Sequence, residues 1–142
     1  MKILIIEDEE LFRENLVELL TVENFDVITA NNGRVGLDLA IRELPNLILC
    51  DLMIPEVDGY SVLNQIREEP ITTTIPFIFI TARATRNDFR QGMDLGADDY
   101  LTKPFTRAEL LSAIYSRLHR RDTLAQHLTS NSDERKVKDI FH

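Results

Sequence analysis

The chain has no tryptophan and a single cysteine among its 142 residues, and its three histidines, His119, His127 and His142, all lie near the C-terminal end. A lone thiol cannot form an internal disulfide, and Cys50 sits inside an apolar run where a small buried thiol is the ordinary outcome. A reducing cytoplasm is therefore the expected compartment. With every imidazole remote from the apolar runs, a histidine nucleophile, a His-rich metal site and a Ser/His/Asp triad are excluded as the centre of the chemistry. No apolar stretch approaches the roughly 18 residues of a membrane helix, and MKILIIED offers too short an apolar run for a signal sequence. Positive charge is also scarce. The 16 basic and 24 acidic side chains leave a net charge of −8, which disfavours direct nucleic-acid binding by this segment. The deficit is confined to residues 1–116, with 10 basic and 20 acidic side chains; residues 117–142, with 6 and 4, are mildly positive, as solvated tails often are.

What the chain does have is a set of short apolar runs that end on polar side chains. Asn46 to Asp51 (NLILCD) holds four consecutive apolar residues and then an acid, the pattern of a strand buried on both faces with a carboxylate at its C-terminal end. Ile3 to Ile6 ends in the same way at Glu7 and Asp8, and Phe77 to Ile80 ends at the hydroxyl of Thr81. One acid after a strand is usually a cap or turn former. Repetition at several strand ends points instead to a shared site, because open parallel sheets do their chemistry there.

Between these runs, Phe12, Leu16, Leu19 and Leu20 recur at helical spacing, and Phe25 to Ala30 alternates as a strand before the turn residues Asn31-Asn32-Gly33. Leu37, Ala40, Ile41 and Leu44 mark a second helix stopped at Pro45. Pro55 and Asp58-Gly59 punctuate a loop, and Val62, Leu63 and Ile66 begin a third helix that Pro70 ends. A helix carrying Phe89 and Met93 closes at Gly96, a short strand Asp99 to Thr102 leads to Lys103-Pro104, and Thr106 with Glu109 fits a capping box for a final helix. Thr72-Thr73-Thr74 reads as a connector. Strand and helix alternation specifies an α/β fold: a doubly wound, five-stranded parallel sheet of order 2-1-3-4-5 with an extended C-terminal helix. The expected domain spans residues 1–120, with residues 121–142 a helical extension or linker that frays from Thr129. Leu111, Ile114, Leu118, Ala125 and Leu128 fall on heptad positions, with Arg121 spoiling one, so a homodimer through the last helix stays an open reading.

In the 2-1-3-4-5 order Glu7, Asp8 and Asp51 converge, and carboxylates that close repel one another unless a cation is present. A hard divalent ion with oxygen ligands fits best. Mg²⁺ would sit on Asp8 and Asp51, with Glu7 ligating through water and the Met53 carbonyl within reach. An ion with exchangeable waters accepts phosphoryl oxygens, which makes Asp51 a candidate nucleophile. Phosphoryl transfer asks mainly for alignment and positive charge, and Lys103 and Thr81 at neighbouring strand ends supply an ammonium and a hydroxyl.

Glu7-Asp8, the Asp51 strand followed by Pro55 and Asp58-Gly59, Thr81-Ala82, and the run Gly96 to Phe105 (GADDYLTKPF) together resemble the receiver domain of two-component response regulators over residues 1–120. A chemotaxis member of that family has the same strand order, so the expected topology and the resemblance are one reading. The resemblance implies a signalling switch rather than an enzyme in the usual sense. Asp51 would accept a phosphoryl group from the phosphohistidine of a sensor histidine kinase or phosphotransfer protein, with Mg²⁺ bound, and later lose it to water. It further implies a cis bond at Lys103-Pro104 that aims the ammonium, and a switch pair, Thr81 and Tyr100, in which the hydroxyl moves toward the phosphoryl group and the ring turns inward. Output to a partner or effector region would pass through the fourth helix, fifth strand and fifth helix, and Met53 and Arg83 would tune how water reaches the acyl phosphate. The rivals are an Mg²⁺-dependent phosphatase with an aspartyl nucleophile, a flavodoxin-like binding module, and a receiver used only for docking. Met53 stands where such a phosphatase wants a second acid; the flavin reading lacks tryptophan and a phosphate-cradling glycine loop; the complete acid, Thr and Lys set opposes the third.

Overall fold

Ile3 to Ile6, Leu47 to Cys50 and Phe77 to Ile80 are all fully buried, as runs apolar on both faces require. They form the centre of a sheet in the computed structural model, which describes residues 1–83 and 85–129, with side chains to His119. The strands are β1 (Lys2–Ile6), β2 (Asp26–Ala30), β3 (Leu47–Cys50), β4 (Phe77–Thr81) and β5 (Asp99–Thr102). Alternating with them are α1 (Glu10–Val22), α2 (Gly33–Glu43), α3 (Gly59–Glu68), α4 (Arg86–Asp94) and α5 (Arg107–Thr129). All neighbouring strands are parallel, in the expected order β2-β1-β3-β4-β5.

Because side chains alternate across a strand, the sheet has two cores. Leu4, Ile6, Ile48, Cys50, Phe77 and Phe79 pack with α2, α3 and Tyr100 on one side, while Ile3, Ile5, Leu47, Leu49, Ile78 and Ile80 pack with α1 and α5 on the other. The β1–β3 register pairs Ile6 with Cys50, so Glu7 and Asp51 leave the sheet side by side. The β4–β5 register pairs Thr81 with Thr102 and brings Lys103 in next, its N–H bonded to the Thr81 carbonyl at 2.8 Å. Strand register alone therefore gathers the polar strand ends.

Several local readings change in detail. Asn32 is the N-cap of α2, its side chain accepting from Val35 N at 2.9 Å, rather than part of a free-standing turn. Asp58 caps α3 in the same way, accepting from Ser61 N, so that helix starts at Gly59, three residues before Val62. The capping box is present at α5, with Thr106 N and Glu109 N each bonded to the other's side chain. The buried residues of α4 are Asp88 and Gly92, and Phe89 is half-exposed; at Gly92 the Phe79 ring approaches to where a Cβ would lie 3.0 Å away. Of the heptad positions, Ile114 and Leu118 are buried and Leu111 packs against the same core of this domain. The side chains of Ala125 and Leu128 lie outside the described residues.

Gly59 couples α3 to the strand end that carries Asp51, since a Cβ there would stand 2.6 Å from the Asp51 carbonyl oxygen and 2.8 Å from Leu52 Cα. Backbone cannot yield as a flexible side chain can. Gly59→Ala is expected to lower unfolding free energy by about 1–3 kcal/mol in denaturant titration, against about 0.5 kcal/mol or less for exposed Ser61→Ala. Equal midpoints for the two variants would contradict this reading of the contact.

Candidate functional site

Glu7 is buried, Asp51 nearly so and Asp8 exposed, and together they present carboxylate oxygens within 4.8 Å of one another. Into this cluster reaches Lys103, whose peptide bond to Pro104 is cis. Its Nζ donates to Glu7 Oε1 at 2.5 Å and to Asp51 Oδ2 at 2.9 Å. The other Asp51 oxygen, Oδ1, accepts from the Met53 backbone N–H at 3.1 Å, so the carboxylate is fixed from both ends.

Burial is the largest influence on Glu7 and pushes its pKa from an ordinary 4.5 up to about 7; the hydrogen bond from Lys103 opposes this and the charge of Asp51 adds to it. Burial alone would lower Lys103, but its bonds to Glu7 and Asp51 outweigh that and raise it, so the ammonium stays charged. Cys50 is the reverse case. Burial holds its thiol well above the ordinary range, consistent with an inert core residue.

Thr81, fully buried at the end of β4, accepts from Arg83 N at 3.3 Å, and Tyr100 OH donates to the carbonyl of the same Arg83 at 2.8 Å. The buried Tyr100 ring lies against Phe79 and Phe89. The Arg83 side chain runs over the exposed Met53, with Nη1 3.4 Å from its sulfur, and pairs with the Asp88 carboxylate at 3.3 Å. Asp88 is held by Thr85 and Tyr60 hydroxyls, and the Thr85 bond, opposed by burial, leads the effects that keep its pKa below the ordinary range.

The crevice cluster is thus Glu7, Asp8, Asp51 and Lys103, with Thr81 and Tyr100 joined to it through the β4–α4 loop. Sequence reasoning missed two participants. Arg13 donates to the Glu7 carbonyl at 2.9 Å, and the Phe12 ring lies beneath Lys103, its centroid 4.1 Å from Nζ. Both sit in the first turn of α1, where Phe12 read as one of the helix's apolar positions; only their nearness to Glu7-Asp8 could have signalled otherwise.

The donor set is all oxygen, and three acids face one ammonium, so the cluster is short of positive charge. That is the composition a hard divalent cation fits.

The sequence profile described as "Response regulator receiver domain" matches residues 3–115. The chain is 43% identical over 121 residues to "Probable transcriptional regulator ycf27" of Porphyridium aerugineum, covering 85% of this chain and 49% of that protein. It is 40% identical over 125 residues to "DNA-binding dual master transcriptional regulator RpaA" of Synechocystis, covering 88% and 52%. The chain therefore spans about half the length of these curated relatives. Among solved structures, the receiver domain of sensor histidine kinase PA1611 from Pseudomonas aeruginosa, described with a magnesium ion coordinated in its active site cleft, superposes with a TM-score of 0.77 at 31% identity, covering 82% of this chain and 96% of that one.

Since the Glu7 pKa is raised, its protonated form contributes stability that is full below about pH 4.5 and is lost as pH rises through about 7. In metal-free protein, Glu7→Gln should remove this dependence, so that the variant gains on the wild type by up to about 3 kcal/mol between about pH 5 and 8. Denaturant titrations at both pH values measure it. A difference that does not change with pH would show that Glu7 ionises at its ordinary value.

Proposed function

Because the chain belongs to the response regulator receiver domain family, we propose that Asp51 is the aspartate that accepts the phosphoryl group, from the phosphohistidine of a sensor histidine kinase or a phosphotransfer protein. The observation that carries this is the Lys103 ammonium shared between Asp51 and Glu7 at adjoining strand ends. In transfer, an Asp51 oxygen forms the new O–P bond as the N–P bond to the donor imidazole breaks, and water later cleaves the acyl phosphate. The domain acts as a switch that catalyses its own phosphorylation and hydrolysis, not as an enzyme on other substrates.

Asp8 and Asp51 would hold Mg²⁺, with Glu7 acting through water and the Met53 backbone carbonyl completing the set. When bound, the ion neutralises charge on the phosphoryl oxygens. Asp51 is oriented by the Met53 N–H, and Lys103, already on the carboxylate, takes a phosphoryl oxygen as a point charge. Thr81 donates to another. Arg83 and Met53, in contact at the crevice, govern how water approaches.

Thr81 and Tyr100 are the switch pair, and both clasp Arg83, one at its N–H and one at its carbonyl. Drawing the Thr81 hydroxyl toward a phosphoryl group gives up its contact with Arg83 N and re-sets the loop that Tyr100 also holds. Each tenfold shift between conformers takes about 1.4 kcal/mol, and a hydrogen bond to a charged group is worth about 1.5–3 kcal/mol. The resulting change is read by a partner or effector region at α4, β5 and α5. We assign residues 1–120 to the receiver and 121–142 to an extension or linker, place the domain in the cytoplasm, and expect neither membrane nor nucleic acid to be bound by this segment. Among the described residues no helix is long and apolar enough to cross a membrane.

Incubation with acetyl phosphate and Mg²⁺ should add one phosphoryl group by intact mass. Asp51→Asn or a chelator should abolish it, and Lys103→Ala should slow it by about tenfold or more, the loss of one charge-assisted contact. Label retained by Asp51→Asn would remove Asp51 from the acceptor role.

A further inference from the structure

We infer that Phe12 is a positioning residue for phosphoryl transfer, its ring a platform that holds the Lys103 ammonium in the crevice while the carboxylates turn to a cation and phosphoryl group. This rests on the reading of Asp51 as acceptor.

The Lys103 Nζ stands 4.1 Å from the Phe12 centroid, within the range of a cation–π contact, and the lysine side chain is only 17% exposed, so solvent screens the attraction little. The ring cannot drift. Phe105, two residues after Lys103, meets it edge-to-face at 5.9 Å, so platform and cation are tied to the same loop. On the other side, the neighbouring Arg13 donates to the Glu7 carbonyl and fixes the first turns of α1 to the loop carrying the acids.

The chemistry needs such a support. In the structure Lys103 binds Glu7 at 2.5 Å, shorter than its 2.9 Å contact with Asp51, and a phosphoryl oxygen must draw it away from that partner. A carboxylate holds an ammonium at fixed points. A ring face attracts it over a broad area, so the ammonium can swing from Glu7 toward a group on Asp51 without leaving the site. An aliphatic side chain of similar bulk would fill the space but supply no such attraction.

Three measurements on the full chain test this: acetyl phosphate labelling rate at saturating Mg²⁺, Mg²⁺ affinity, and the NMR shift of the Lys103 ε-protons, which the ring current moves upfield. Phe12→Leu should slow labelling about 5- to 10-fold, lose the upfield shift, and leave Mg²⁺ affinity within about twofold. Phe12→Tyr, which keeps the ring, should keep both shift and rate within about twofold. Equal labelling by wild type and Phe12→Leu would overturn the inference, as would equal losses in both variants or a parallel fall in Mg²⁺ affinity, which would mark a general deformation. In the first case Asp51 would still be the acceptor. A wild-type chain that takes no label at Asp51 would overturn the acceptor reading and this one with it.

Discussion

One ammonium is shared between the Glu7 and Asp51 carboxylates at the C-terminal edge of the sheet. Its cause lies in strand register: pairing Ile6 with Cys50 obliges the residues that follow to emerge side by side, and those residues are acids. Like charges brought this near are unfavourable, and burial of Glu7 makes its ionisation costlier still. Lys103 offsets part of this, but three carboxylates to one ammonium leave the cluster wanting positive charge. The site is an unfavourable electrostatic arrangement built on an apolar sheet, and a divalent cation would relieve the repulsion that the fold creates. A buried ion pair of this kind is weak evidence for stability. Its value is in function.

From the crevice the connections run outward through the β4–α4 loop. Arg83 is touched at its N–H by Thr81, at its carbonyl by Tyr100, and at its guanidinium by Asp88 and Met53. Asp88 in turn is held by Thr85 and by Tyr60 of α3. In the proposed switch, a displacement of Thr81 would act on α4 through these contacts, and Gly92 lets that helix lie close against the Phe79 ring. The phosphatase alternative finds no support in this arrangement, since the side chain two residues after Asp51 is the exposed thioether of Met53 rather than an acid.

Much of this was legible in the sequence because it is written in short-range terms. Uninterrupted apolar runs ending in polar side chains gave the central strands and, where those side chains are acids, the cluster Glu7, Asp8 and Asp51; alternation with helices gave the parallel sheet. The capping box at Thr106 and Glu109 was equally local. What escaped depends on tertiary neighbours. Asn32 and Asp58 have turn chemistry that serves equally well for a helix cap. Burial of α4 through Asp88 and Gly92 inverts the usual apolar signal, because a polar network and a missing side chain replace greasy contacts there. Phe12 looks like any core aromatic until Lys103, ninety-one positions later in the chain, is laid on its face. Heptad spacing at Leu111, Ile114 and Leu118 was also ambiguous, since packing on one's own sheet and on a second helix asks for the same residues.

We propose that a divalent cation completes the acidic cluster at the ends of β1 and β3. Anomalous diffraction from crystals grown with Mn²⁺ in place of Mg²⁺ tests it most directly. A single strong peak between the carboxylates of Asp8 and Asp51, absent in Asp8→Asn crystals, is the expected result. A peak elsewhere on the molecule, or none at saturating metal, would contradict the account.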